Sequence, residues 1–391
     1  MTQAQNGSEA LLAAAQAQAP RIRAAADEGE RERRLPAALV DAMCAAGLFR
    51  MLVPHSLGGG EADLATFARV VEAVAGADGS TGWCLAQAAG ASTVAAFLEP
   101  AAAREIFGDP RAVLAQGPGA DARAVVVDGG YRLTGRWAFA SGCMHATWLH
   151  GSAMLYEADG SPRRTADGAH EARMLFFPAA DAEIVDTWHV SGLRGTGSHD
   201  YAVADLFVPR ERSALRTERS RREPGPLFVF PVQSVFAIGF AAVALGIARG
   251  ALDAFLDLAS SKVPRGERAP LRENAVVQAQ VARGEAQYRS ARAFLHETIG
   301  DMWEAVRRTG AITVEQRALL RLATTHAIHQ AAQAVDAAYH AAGATAIFES
   351  QPFERRFRDV HAVTQQIQGR QAHFETVGRV LLGFDPEELY L

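Results

Sequence analysis

The sequence predicts an α+β protein in which a helical segment, a β segment and a second helical segment follow one another along 391 residues. Three observations carry this. Apolar residues recur at helical spacing up to about residue 111. That period disappears from 112 to about 212, where glycine turns and alternating strands take over. Long alanine-rich stretches with short breaks then run from 213 to 391. The expected divisions are therefore 1–111, 112–212 and 213–391, the last folding as an antiparallel four-helix bundle.

In the first segment, Pro36 suits the opening turn of a helix whose Leu39, Val40, Met43 and Cys44 share a face and whose stop is Gly47. Asp63 is placed to cap a second helix carrying Leu64, Phe67, Ala68 and Val71, and VPHSLGGGEAD between the two reads as a loop. In the second segment, Val125 and Val127 face Tyr131 and Leu133 across Asp128-Gly129-Gly130, a hairpin signal because glycine supplies the positive φ of the turn. EADGSPRRTADGAHEAR reads as a surface loop, and AVADLFVP as the closing strand. The linker SALRTERSRREPGPL leads to the last segment, interrupted near 263–270 and 343–352.

Composition narrows the function classes. A net charge of -5 without a basic cluster argues against nucleic acid and anionic membrane as partners. The 39 basic residues are arginines except Lys262, a usage with no functional weight of its own. Cys44, Cys84 and Cys143 are an odd number without CxxC spacing, which argues against a disulfide framework and a zinc site, so no metal is expected. The N-terminus lacks a signal pattern, and the apolar run near Val235 to Ile247 is too short to span a bilayer. A cytoplasmic protein is expected.

The segment WAFASGCMHATW, opening with Trp137-Ala138-Phe139-Ala140-Ser141-Gly142, is answered about fifty residues later by WHVSGLRGTGSHD. Together they resemble the central domain of the acyl-CoA dehydrogenase superfamily, and the resemblance extends over nearly the whole chain. It implies an acyl-CoA dehydrogenase fold: an N-terminal helical domain, a central β-barrel and a C-terminal four-helix bundle. It also implies a flavin, with Trp137, Phe139 and Ala140 as an apolar wall and the Ser141 hydroxyl at the N5 edge. Gln116 and Gly117 fall on a strand-end loop expected to meet the ring. The Ser141→Ala change is then expected to spare folding while raising hydrogen peroxide release.

The GLRGTGS run is a poor phosphate cradle, because it precedes a strand and lacks the lysine of a P-loop. Its glycines suit a tight turn, with Arg194 as an anchor. Within the resemblance, GxRGTGS typifies the two-component flavin monooxygenases. A dehydrogenase, by contrast, needs a carboxylate base near the thioester α-carbon. With Arg358-Asp359 as the register, the two positions that carry this base in dehydrogenases fall at Ile367 and near Phe236, and neither residue takes a proton. Glu375 lies eight residues further, about 12 Å along a helix. The dinucleotide-binding segments of the dehydrogenases are reduced to PRGERAP and HAAGATA, which suits FMN or borrowed reduced flavin, with Arg265 as a phosphate contact.

Aromatic hydroxylases of this branch carry a histidine seven residues after the Arg-Asp pair; here that position is Gln366, which hydrogen-bonds but does not titrate. A second family histidine falls at about Ser92. His361 and His373 remain as proton carriers. The expected catalytic residues are Ser141, Gln366 and His361; the expected cofactor contacts are Gln116, Gly117, Trp137, Phe139, Ala140, Ser141 and Arg265. The expected function is the oxygenase component of a flavin-dependent monooxygenase. It would use reduced flavin (FMN or FAD) and O2 on an aromatic or polyketide-like small molecule, with a separate NAD(P)H-flavin reductase. A homotetramer is expected from alanine-rich faces such as Ala323 to Ala342. An acyl-CoA-directed flavoenzyme, either a dehydrogenase or an oxygenase of an aromatic CoA thioester, and a flavin-free scaffold subunit are the alternatives.

Overall fold

A computed structural model describes residues 3–119 and 121–385. Five helices come first: α1 (Gln3–Glu32), α2 (Ala37–Ala45), α3 (Leu64–Ala77), α4 (Gly79–Ser92) and α5 (Pro100–Phe107). Their punctuation follows the sequence. Gly47 adopts φ 72 after α2, and the Asp63 carboxylate accepts the Thr66 N–H at the start of α3. Asp78 repeats that cap for α4 through Thr81, so α3 and α4 meet at a corner with both ends satisfied.

Eight strands follow: β1 (Leu114–Gln116), β2 (Arg123–Val127), β3 (Gly130–Trp137), β4 (Trp148–Tyr156), β5 (Ala172–Pro178), β6 (Glu183–Val185), β7 (Asp200–Pro209) and β8 (Ser213–Ala214). They form one mixed sheet in the order β6-β7-β3-β2-β4-β5-β8, with β1 parallel to β4. The β2–β3 hairpin turns at Asp128-Gly129, with Gly129 at φ 73. Alternate side chains from almost every strand converge on one core containing Trp137, Leu149, Phe177 and Tyr201, so the sheet wraps around its own apolar face.

The rest is helical: α6 (Val232–Ser261), α7 (Ala275–Thr309), α8 (Val314–Ala342), α9 (Pro352–Thr364) and α10 (Ala372–Leu381). The apolar run at 235–247 belongs to α6, whose 30 residues are long and apolar enough to cross a bilayer, against the sequence expectation. Yet 89% of its apolar window is buried inside the fold, where α6 is the central helix packed on α3, α4, α8 and α9. The α8 alanines are also used within the chain: Ala323, Ala327, Ala331, Ala334 and Ala342 have no exposed surface, so the face expected to meet a neighbouring copy is already covered. The three cysteines are free and buried.

Candidate functional site

The two motif segments lie side by side at the end of the β sheet that faces the helices. Ala140 N–H donates to His199 O and Gly142 N–H to Thr196 O, both at 3.0 Å, which sets 137–143 against 192–199. On the other flank Ala138 N–H donates to Pro118 O, and a Cβ on Gly117 would lie 2.0 Å from Ala138 O, so only glycine permits that approach. Gln116 and Gly117 therefore do adjoin the Trp137 to Gly142 segment, and Gln116 is half-buried at the end of β1.

Ser141 is 7% exposed and sits in a buried polar relay. Trp83 on α4 donates its indole N–H to Ser141 Oγ (2.8 Å), Ser141 Oγ meets Ser198 Oγ (2.7 Å), and Ser198 Oγ meets Thr196 Oγ1 (2.7 Å). Thr196 donates to Leu193 O at 2.8 Å. Both ends fix the direction, because the indole only donates and the carbonyl only accepts. Ser198 thus donates to Thr196 and Ser141 to Ser198. The single Ser141 proton is committed inside the protein, and toward a ligand the hydroxyl offers a lone pair.

The same loop is held from below by α9. Asp359 accepts Leu193 N–H at 2.6 Å, while a Cβ on Gly79 would lie 3.0 Å from its other carboxylate oxygen, so the side chain joins α9, the start of α4 and the 192–198 loop. Burial, then the charge of Asp78, pushes the Asp359 carboxyl up to about 7. Arg358 completes the clamp through Ser191 O and through Glu30 and Glu354. Arg194 sits 3.7 Å from Glu30, a contact with α1 that suits an anchor.

Several expected site residues are elsewhere. Trp137 is 0% exposed, stacks on Tyr201 at 5.1 Å and donates to Ser152 O, so its side chain belongs to the core of the sheet and not to a ligand-facing wall; Ala140 is likewise fully buried. Phe139 is the exposed member, 64% accessible at φ 54, with its ring edge-on to Trp188 at 6.1 Å. A bulky residue held at positive φ with an exposed ring is a local cost of about 1–3 kcal/mol that marks functional surfaces. His361 bonds Asp336 at 2.8 Å; two residues beyond Asp359 it points about 200° away around α9. Gln366 turns its carbonyl onto Gln368 N–H and caps a short turn, while its neighbour Ile367 is half-buried. His373 is buried against Ile367 O, and Glu375 is exposed.

Arg265 is exposed in the loop after α6. That loop does adjoin the HAAGATA segment: Lys262 donates to Ala342 O and Thr345 Oγ1, closing the two breaks of the helical segment onto each other. Phe236 is half-buried and stacks on Phe240, which stacks on Trp83 at 4.2 Å. His145 carries no partner on either ring nitrogen and is held neutral, down to about 4, by burial. Sequence reasoning missed the Trp83–Ser198–Thr196 relay and the structural part of Asp359, since these contacts join segments 58 and 166 residues apart.

Comparison with known proteins places the chain in a family. The profile for the acyl-CoA dehydrogenase N-terminal domain matches residues 8–106, and that for the acyl-CoA dehydrogenase C-terminal domain residues 238–370. The chain is 34% identical to indole-3-acetate monooxygenase of Pseudomonas putida over 95% of this chain and 93% of that protein. It is 30% identical to the oxygenase component of an FADH(2)-dependent resorcinol hydroxylase of a Rhizobium, covering 94% and 93%. Among solved structures, XiaF from Streptomyces in complex with FADH2 and glycerol superposes with a TM-score of 0.90 at 27% identity, covering 99% of this chain and 98% of that one.

Proposed function

Since the chain belongs to the acyl-CoA dehydrogenase family, in its flavin-dependent two-component monooxygenase branch, we propose that it is the oxygenase component that inserts one oxygen atom of O2 into an aromatic or polyketide-like small molecule. Reduced flavin, FMN or FAD, comes from a separate NAD(P)H-dependent reductase; when bound, it supplies the two electrons and the site at which O2 is activated. Relatives named for indole-3-acetate and resorcinol support an aromatic substrate.

The observation that carries this reading is the polarity of the buried relay. With its proton directed to Ser198, Ser141 presents a lone pair, which suits the N5–H of a reduced flavin and not the bare N5 of an oxidised one. A flat ring also fits the surroundings: Phe139 and Trp188 offer an exposed aromatic corner, and the Gly117 backbone packs against Ala138 O, one residue before Phe139. Arg265 is the phosphate contact in this reading. The chain's own tasks are to hold the ring between the β domain (112–212) and the helical segment (213–391), to keep water out with Trp83, Phe240 and Phe236, and to orient the substrate. Gln366 retains a free amide N–H for hydrogen bonding, whereas His361 is paired with Asp336 and would shuttle protons only at the rim.

Ile367 and Phe236 at the base positions weigh against the dehydrogenase alternative. We also propose a cytoplasmic homotetramer. Its support is no longer the α8 alanines but exposed apolar side chains, Leu381, Leu382 and Phe384 at one end of the chain and Ile347 and Phe348 before α9. The test is an anaerobic titration with FMN and FAD in both redox states, followed by mixing with O2 and a panel of phenols and indoles. Tighter binding of the reduced form and product retaining one atom of labelled O2 are expected. Equal affinity for both redox states, or label only in water and peroxide, would refute the proposal.

A further inference from the structure

Arg216 follows β8 and points into the fold. Its two terminal nitrogens each donate to Thr93 Oγ1 at 3.0 Å, and the guanidinium lies 4.8 Å from the centre of the Phe97 ring. Thr93 in turn donates to Gly90 O at 2.6 Å, so its hydroxyl has no further capacity. Three of the five guanidinium N–H groups are left over, and among the described residues no carboxylate reaches them. Arg249, Arg292, Arg355 and Arg358, also half-buried, each face at least one carboxylate. Beside Arg216 lies His150, buried, packed on Phe176, with Nδ1 unpaired. Burial pushes Arg216 down to about 10 and, with the nearby arginine charge, His150 down to about 4, so at neutral pH the cluster is one cation beside a neutral imidazole.

This cluster adjoins the candidate flavin site on two sides. His150 is the register partner of Gln116 across β4 and β1. Along α4 and the turn that continues it, Trp83, Gly90 and Thr93 follow one side, with Trp83 bonded to Ser141 at one end and Thr93 to Arg216 at the other, about 15 Å apart. Aromatic rings pack along this face: Phe240 stacks on Trp83, and Phe236 comes so close to Gly90 that a Cβ there would lie 2.7 Å from its ring. An apolar wall that runs from the candidate flavin site to a half-buried cation without a carboxylate partner among the described residues has the polarity of an aromatic acid.

We propose that Arg216, with Thr93 fixing its plane and His150 donating from Nδ1, is the anchor for the carboxylate of the substrate, which is therefore an aromatic carboxylic acid whose ring lies along Trp83, Phe240 and Phe236. This rests on the oxygenase reading for its ring end and adds the chemistry of the other end. Arginine is the residue for the task because its planar fork meets both carboxylate oxygens at once.

The test is equilibrium binding, under anaerobic conditions with reduced FMN, of 1-naphthylacetate and 4-phenylbutyrate, each against its primary amide. In the native protein at least one acid should bind roughly tenfold to a hundredfold tighter than its amide, the range for charge-assisted bonds. Arg216→Gln should erase the preference while leaving reduced FMN affinity and amide affinity in place, and Arg216→Lys should keep part of it. Equal affinity for acid and amide across the panel, including no binding of either, or an undiminished preference in Arg216→Gln, overturns the proposal. So does competition of inorganic phosphate with FMN that disappears in Arg216→Gln, which would make the arginine a flavin-phosphate contact. If Arg216→Gln does not fold, the acid–amide comparison in the native protein, repeated with His150→Phe, decides alone. Failure of native protein to bind reduced FMN would overturn the oxygenase reading, a separate result from loss of acid preference.

Discussion

Ser141→Ala is the most informative single change, because the relay predicts its cost as well as its effect. Alanine removes the acceptor of the Trp83 indole N–H and the donor to Ser198, in a site closed to water. A buried donor left without a partner costs about 1–3 kcal/mol. The variant should therefore lose roughly that much unfolding free energy, against the expectation from sequence that folding would be spared. Trp83→Phe, which keeps the stack on Phe240 and removes the N–H, supplies the control. In that background Ser141→Ala no longer strands an obligate donor, so the double-mutant cycle should give a coupling of about 1–2 kcal/mol, measured by denaturant titration. Reduced-flavin affinity should fall about fivefold to tenfold in the same variant, since one hydrogen bond is worth about 1 kcal/mol net. Coupling below about 0.5 kcal/mol, the limit of ordinary additivity, would show that Trp83 and Ser141 do not depend on each other and would refute the relay.

Asp359→Asn keeps an acceptor for Leu193 N–H and removes the charge. A carboxyl raised to about 7 in the fold binds a proton that the unfolded chain has already lost, so its contribution is fully present below about pH 4 and declines as pH rises to 7. The variant's stability relative to the native protein should therefore increase between pH 5 and 8, and parallel urea midpoints across that range would contradict the assignment. Trp137→Ala should behave as a core deletion, costing about 3–5 kcal/mol, with a loss of soluble protein preceding any specific loss of flavin affinity; a stable variant with weakened flavin binding would return Trp137 to the ligand wall. Saturated acyl-CoA thioesters should not bleach oxidised flavin on the native protein under anaerobic conditions, because Ile367 offers no base, whereas Ile367→Glu should introduce slow bleaching. Reduction by the native protein would revive the dehydrogenase alternative.

Much of the fold was readable because its signals are local. Asp63 and Gly47 bound their helices through bonds within a few residues, and Asp128-Gly129 turns the β2–β3 hairpin on the backbone freedom of one glycine. The same locality misled at three points. The apolar run near Val235 to Ile247 was judged too short to span a bilayer, although the helix it belongs to continues through Arg249 and Asp253, which pair with each other on its surface, to 30 residues. Trp137 was given to the ligand wall from its place in the WAFASG motif, but as the last residue of β3 it packs its ring into the sheet core, while Phe139, past the strand end at φ 54, turns outward. The α8 alanines were read as an outer face, while α6 and α9 already cover them.

The sequence by itself determined the order of helical, β and helical segments, the flavin chemistry implied by the WAFASG and GLRGTGS motifs, and the absence of a carboxylate at the dehydrogenase base positions. These are properties of residue types and short spacings, and they survive without coordinates. Only the tertiary structure decided which of those residues face one another: that Ser141 spends its proton on Ser198, that Asp359 bonds the loop while His361 faces away from it, and that Arg216, one arginine of the linker, is half-buried without a carboxylate partner among the described residues. Hydrogen-bond direction and charge compensation depend on what lies within about 3–4 Å. Between segments more than fifty residues apart, only the packing of α4, α9 and the sheet sets that distance.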